Sequence, residues 1–123
     1  MAIKAKKVWM DGQLVPFEDA NIHILTHTFH YGLGAFEGIR CYQRADGASA
    51  IFRLGEHIRR LLETCHICTI ESPYTQAEIE QACVETVRAN EFKDCYLRPV
   101  VFLGHQEMGL SAMGNDVRVA VIA

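Results

Sequence analysis

Apolar and polar positions along this chain follow two periods in turn, two for strands and about 3.6 for helices, and the switches between them outline the elements. Val8-Trp9-Met10 and Gln13-Leu14-Val15 flank Asp11-Gly12, which readily supplies the positive φ angles of a tight two-residue turn. The chain therefore opens on a hairpin. Residues 17–34 are less regular, and only a short helical turn around Thr26 to Tyr31 is expected there. From Ala35 to Tyr42 alternation returns as one continuous strand, with Phe36, Gly38, Arg40 and Tyr42 on one face and Glu37, Ile39 and Cys41 on the other. Asp46-Gly47 then turns the chain into a partner strand, Ala48 to Phe52.

Beyond Gly55 the period lengthens. Ile58, Leu61, Leu62 and Cys65 follow helical spacing to about Cys68, after which Pro73 marks a loop. Thr75-Gln76-Ala77-Glu78 has the form of a capping box, and Ile79, Ala82, Cys83 and Val87 form the buried stripe of a second helix that stops near Asn90. Cys95 to Leu103 reads as a long strand. Pro99 within it lacks a donor, which predicts an edge position or a nitrogen facing away from any neighbour. After a glycine-containing loop, residues 104–115, a last strand runs from Val117 to Ala123. Its apolar end fits either a central strand or a chain that continues into another domain. The pattern predicts an α+β fold: a largely antiparallel sheet with two main helices on one side, the hairpins preceding the helices.

Composition narrows the function. The 123 residues, half of them hydrophobic, suit one globular domain. The net charge is −3, and no basic run exceeds Lys6-Lys7 or Arg59-Arg60, which argues against nucleic acid and anionic membrane as partners. No apolar stretch suggests a signal peptide or a membrane span, so a cytoplasmic location is expected. Five scattered cysteines suit reduced core thiols better than a disulfide framework.

Few residues stand out as chemical candidates on spacing alone. Tyr96 and Arg98 leave one strand face together, as do Phe36, Gly38 and Arg40; such faces fit a solvated surface as well as a site. Arg60 borders the apolar stripe of the first helix, where it is either an ordinary exposed arginine or a guanidinium reaching a phosphate. Cys65-His66-Ile67-Cys68 has no second pair at zinc spacing, and His23, His27 and His30 lack an acidic residue to complete a metal set, so no metal site is expected. No Walker loop, G-x-G-x-x-G or nucleophile elbow is present.

Four blocks in register, Thr26-His27-Thr28-Phe29-His30-Tyr31-Gly32, Ala35-Phe36-Glu37-Gly38-Ile39-Arg40-Cys41-Tyr42, Phe52-Arg53-Leu54-Gly55-Glu56-His57-Ile58-Arg59-Arg60-Leu61 and Tyr96-Leu97-Arg98-Pro99, resemble branched-chain amino acid aminotransferases. The resemblance runs from about Val8 to the last residue. It implies a fold-type IV enzyme that uses pyridoxal 5'-phosphate (PLP) to move an amino group between leucine, isoleucine or valine and 2-oxoglutarate, with glutamate and the 2-oxo acids as the other reactants. Arg60 would hold the cofactor phosphate, Phe36 and Gly38 would shape an aliphatic pocket, and Tyr96 would help receive the substrate carboxylate. Arg98 would meet the side-chain carboxylate of glutamate yet stay tied to tyrosine hydroxyls, Tyr31 among the candidates, when an apolar side chain is bound. The family is dimeric, and the resemblance places Tyr31 and Leu110 at the neighbouring subunit's active site.

The resemblance also marks what is missing. The family's Schiff-base lysine and the acidic residue at the pyridine nitrogen lie in a C-terminal domain outside these residues, so no catalytic residue is expected in this chain. Lys4, Lys6, Lys7 and Lys93 read as solvated, not as a desolvated reactive amine. Residues 1–123 are thus expected to be an N-terminal substrate- and phosphate-binding domain, inactive alone. D-amino acid aminotransferases and aminodeoxychorismate lyase share the general plan and are the alternatives within the fold. A complete, non-catalytic dimerisation or ligand-sensing protein is the alternative of another class.

Overall fold

The computed structural model describes residues 5–123. In chain order the elements are β1 (Lys7–Met10), β2 (Gln13–Pro16), a 3-10 turn (Phe17–Asp19), α1 (His27–Tyr31), β3 (Gly34–Phe36), β4 (Ile39–Gln43), β5 (Ser49–Ile51), α2 (Leu54–Ile67), α3 (Gln76–Asn90), β6 (Cys95–Leu103) and β7 (Val117–Ile122). Every strand pairing is antiparallel, in the order β2-β1-β7-β6-β4-β5, with β3 also on β6. The expected α+β class and both hairpins are present. The first turn has Asp11 at φ 49° and Gly12 at φ 101°, and the Asp11 carboxylate accepts from the Val119 amide at 3.0 Å, which fixes the turn against β7.

Alternation decides which face of the sheet is covered. Trp9, Ile39, Cys41, Leu97, Val101, Val119 and Val121 point to the side where α2 and α3 lie, and they meet Ile58, Leu61, Cys65, Ile79, Ala82, Cys83 and Val87 in one core. Both main helices therefore pack on one face, as the stripes predict. The capping box closes α3 as read: the Glu78 amide donates to Thr75 Oγ1 at 3.3 Å, and the Thr75 amide donates to Glu78 Oε2 at 2.7 Å. At its other end buried Asn90 accepts from the Lys6 and Lys7 amides and donates to Lys7 O, docking β1 on the helix.

Two expectations need correction, and they share a cause. The strand expected from Ala35 to Tyr42 is divided into β3 and β4 at Glu37-Gly38. Both pieces nevertheless pair with β6 in one unbroken register, Ala35 with Val101 and Ile39 with Leu97. That register sets Glu37 opposite Pro99, whose carbonyl accepts from the Glu37 amide at 3.1 Å. In an extended strand N–H and C=O of one residue point the same way, so the Pro99 nitrogen faces Glu37 and has no proton to return. Pro99 thus lies in the middle of the sheet, facing a neighbour, and the ladder opens at that point.

Candidate active site

The uncovered face carries the first cluster. Phe36, Gly38 and Arg40 on the β3–β4 stretch and Tyr96 and Arg98 on β6 all point to it, with Arg40 directly opposite Tyr96. A Cβ on Gly38 would overlap Tyr96 Oη, so only glycine lets the Tyr96 ring lie across that backbone. Arg98 Nη2 donates to Tyr96 Oη at 2.7 Å, and its guanidinium carbon stands 4.3 Å from the centre of the Phe36 ring. The Arg98 Nε is buried with no partner. This is a cation held over an aromatic ring with one donor unpaired, an arrangement suited to a carboxylate.

One step along β6 on the same face, Val100 opens an apolar groove of about 830 Å³ that Val8, Met10, Phe29, Phe102 and Ile122 also line. Charge recognition and apolar surface are therefore adjacent.

The second cluster hangs from the residue between Phe36 and Gly38. Glu37 turns to the helical side, where its carboxylate accepts from Arg60 Nε at 2.6 Å, Arg60 Nη2 at 2.8 Å and lies 3.0 Å from His57 Nδ1. The side chain of Glu37 is 7% exposed while that of Arg60 is 65% exposed. The Arg60 hydrogen bonds hold the Glu37 carboxyl below the usual carboxylate range, against burial, with His57 adding to the effect. Beside this fork Arg60 also lines a shallow hollow of about 310 Å³ with Arg53, Glu56, His57, Arg59 and Glu63, where Arg53 pairs with Glu56 and Arg59 with Glu63. With Arg53 and Arg59 engaged by carboxylates, Arg60, which keeps one guanidinium nitrogen outside its fork with Glu37, is the group of this hollow suited to a phosphate.

Tyr31 and Leu110 lie elsewhere, at the Leu103 end of β6. Tyr31 on α1 is 43% exposed and Leu110 is 84% exposed. Within one chain Arg98 is bonded to Tyr96, and Tyr31 packs on His27 with ring centres 4.6 Å apart. The Tyr31–Arg98 pairing considered from the sequence is thus not formed inside the chain.

Glu37 and His57 were given no role by the sequence reading. A signal existed: alternation places Glu37 inward beside Ile39 and Cys41, and an inward carboxylate calls for a cationic partner. Among the described residues no group of His, Cys, Asp and Glu is arranged for a metal ion, and all five cysteines are free. The three histidines are separately engaged, His23 stacked on His105, His27 bonded to Gly109 O and His30 to Ile24 O. Lys6 pairs with Glu91 at the surface, Lys7 lies in β1 and Lys93 in the α3–β6 turn, all away from both clusters; Lys4 lies outside the described residues. Among those described residues no helix is long and apolar enough to cross a membrane.

Residues 34–123 match the family model for class IV aminotransferases. The chain belongs to the class IV aminotransferase family. Its whole length is 46% identical to 40% of the branched-chain-amino-acid aminotransferase of Pseudomonas aeruginosa, and 98% of it is 37% identical to 38% of the Escherichia coli K12 enzyme of that name. A solved branched-chain amino acid aminotransferase complexed with N-(5'-phosphopyridoxyl)-L-glutamate, from the organism abbreviated T.th., superimposes with a TM-score of 0.92 at 40% identity, over 98% of this chain and 40% of that one. The Thermoproteus uzoniensis branched-chain aminotransferase solved with norvaline gives 0.90 at 42% identity, over 96% and 40%. This class IV aminotransferase chain thus spans about 40% of the length of the relatives it matches, and its antiparallel sheet and helices are those of the fold-type IV enzymes.

Proposed function

We propose that this chain is the N-terminal substrate- and phosphate-binding domain of a branched-chain aminotransferase, which moves an amino group between leucine, isoleucine or valine and 2-oxoglutarate with PLP. The observation that carries the proposal is Arg98, over the Phe36 ring, with a buried unpaired Nε beside an apolar groove. Such a site meets both demands of the reaction. It offers a guanidinium to the extra carboxylate of glutamate and hydrocarbon surface to an aliphatic side chain, while Tyr96 holds the arginine when no carboxylate is present.

Of the residues around the hollow, Arg60 fits the cofactor phosphate. Arg60, fixed by Glu37, would hold the phosphate at the nitrogen that its fork with Glu37 does not use. PLP supplies the electron sink that lets an amino group leave one carbon skeleton and enter another; the chain's own part is binding, orientation and exclusion of water. Glu37 keeps Arg60 in one pose, Gly38 gives Tyr96 room, and Tyr96 and Arg98 orient carboxylates.

No lysine of the described residues faces either cluster, so the amine that the cofactor needs would come from the part of the enzyme outside these residues, and the chain alone would be inactive. Tyr31 and Leu110, exposed and remote from Arg98, would serve the second subunit of a homodimer. A substrate panel on the full-length protein tests the assignment. Turnover of leucine with 2-oxoglutarate is required, and a preference for D-alanine would overturn it in favour of a D-amino acid enzyme of the same fold.

A further inference from the structure

Five residues are too few for α1 to hold its own helical shape, so its position is set by bonds to other elements. Thr28 Oγ1 accepts from the Leu103 amide at 2.8 Å and donates to Leu33 O at 2.6 Å, which seats the helix on the end of β6. His27 makes two bonds of another kind. Its amide donates to Gly104 O at 2.8 Å, and its Nε2 lies 3.0 Å from Gly109 O, across 82 residues of sequence.

The receiving segment is the loop between β6 and β7. Its other hydrogen bonds are internal: Gly104 to Asp116, Glu107 to Asn115, Gln106 to Asp116, Asn115 to Ala112 and Met113 to Ser111. Among the described residues, the hydrogen bonds that enter residues 104–116 from the rest of the chain both come from His27. A carbonyl only accepts, so Nε2 carries a proton, and in the neutral imidazole Nδ1 is then the bare nitrogen. That Nδ1 is buried without a partner, in a residue only 2% exposed. Burying an unpaired polar atom costs about 1–3 kcal/mol, a cost that an apolar side chain filling the same space would avoid. The imidazole is therefore poorly explained by packing and well explained by its bond to Gly109.

The ring has a second neighbour. The Tyr31 ring packs beside it, tilted by 42° with ring centres 4.6 Å apart, while its Nε2 holds the carbonyl next to Leu110. One buried ring thus ties Tyr31 to the backbone beside Leu110. We infer that His27 is a positioning residue: it pins the Gly109–Leu110 backbone to α1, so that Tyr31 and Leu110 reach the neighbouring subunit's site as one preformed surface. The inference rests on the role proposed above for those two residues, and its test separates the two ideas.

The experiment compares His27→Phe and His27→Gln in the full-length enzyme by backbone amide exchange of residues 107–113 and by leucine kinetics. Phe keeps a ring for Tyr31 and removes the donor; Gln keeps a donor at similar reach and removes the ring. His27→Phe is expected to raise exchange in the loop about tenfold, the equivalent of one hydrogen bond of about 1.4 kcal/mol, with β6 and β7 unchanged. His27→Gln should restore protection. The KM for leucine should rise several-fold in the Phe variant and kcat should change less, because the loop shapes a pocket wall and reaches no reacting atom. Wild-type exchange in His27→Phe, or equal loosening in both variants, overturns the pin. A loosened loop with an unchanged KM upholds the pin and refutes the placement of Leu110 in the site. If His27→Phe does not fold, His27→Asn replaces it, since the same amide one methylene shorter falls short of Gly109 and should loosen the loop where Gln does not.

Discussion

Gly38→Ala isolates the geometry on which the substrate face depends. Gly38 has no positive φ, so the substitution carries no backbone penalty; its effect is the added methyl, which overlaps Tyr96 Oη and sits 2.8 Å from Cζ. Beyond Gly38 the Ile39–Leu97 and Arg40–Tyr96 pairs hold β4 on β6, so the exposed Tyr96 ring yields more easily than the backbone. The Tyr96 ring, about half exposed, must swing outward instead. That movement breaks its bond with Arg98, a hydrogen bond to a charged group that is worth about 1.5–3 kcal/mol at most, given its exposure. The loss of conformational freedom in the unfolded chain returns about 0.4–1 kcal/mol. Net destabilisation is then about 1 kcal/mol, or a Tm lowered by a few degrees in a full-length enzyme. Activity should suffer far more, since misplacing a binding group by about an ångström costs on the order of 100-fold. The assay is kcat/KM for leucine and for glutamate beside a thermal melt. Kinetics within twofold of wild type would refute the argument that Gly38 exists to seat Tyr96; collapse of the fold would refute the claim that the ring is what yields.

Glu37→Gln tests the phosphate clamp through pH. The Glu37 carboxyl is lowered by its bonds to Arg60 and His57, so its stabilising contribution is complete above the unfolded carboxylate value and lost as pH falls through the lowered one; the Tm gap between wild type and variant should narrow in acid and stay constant near neutrality, read by melts across pH. A gap that widens in acid would contradict the sign. Arg98→Lys should reduce turnover with glutamate at least tenfold while leaving PLP affinity within about twofold, because an ammonium cannot reproduce the guanidinium fork; titration of the cofactor beside steady-state kinetics checks it. Thr75→Ala removes the α3 cap and should cost about 1 kcal/mol in a denaturant melt with kcat unchanged, since α3 touches neither cluster.

Features set by neighbours in sequence were legible in it. Asp11-Gly12, the Thr75–Glu78 box and the stripes of α2 and α3 each rest on contacts within a few residues, and each is present as read. Alternation also placed Tyr96 with Arg98, and Phe36 with Gly38, on common faces. What the sequence did not disclose depends on register. The opening between β3 and β4 is imposed by Pro99, some sixty residues away in the chain, and no local pattern at Glu37-Gly38 announces it. The seating of Arg98 on Phe36 likewise requires the alignment that sets Phe36 opposite Val100. Glu37 is the instructive case: alternation set it on one face with Ile39 and Cys41, but the identity of its partner needed the path of α2 across β3.

That opening also explains how one short stretch serves two tasks. Phe36, Glu37 and Gly38 are consecutive, so strict alternation sends the outer two to the proposed substrate face and the middle one to the proposed phosphate clamp. Glu37 keeps one backbone bond to β6, from its amide to Pro99 O, and proline denies it the reciprocal bond. The peptide that bears both clusters is therefore held less by the sheet than its neighbours Ala35 and Ile39 are, and more by its own side chains: Glu37 on Arg60 and Phe36 on Arg98. Under this reading a change that detaches Arg60 from Glu37 relaxes the same backbone that positions Gly38 and Phe36. Damage to the phosphate clamp should consequently appear in the KM for amino acids as well as in cofactor affinity, although the two clusters lie on opposite faces of the sheet.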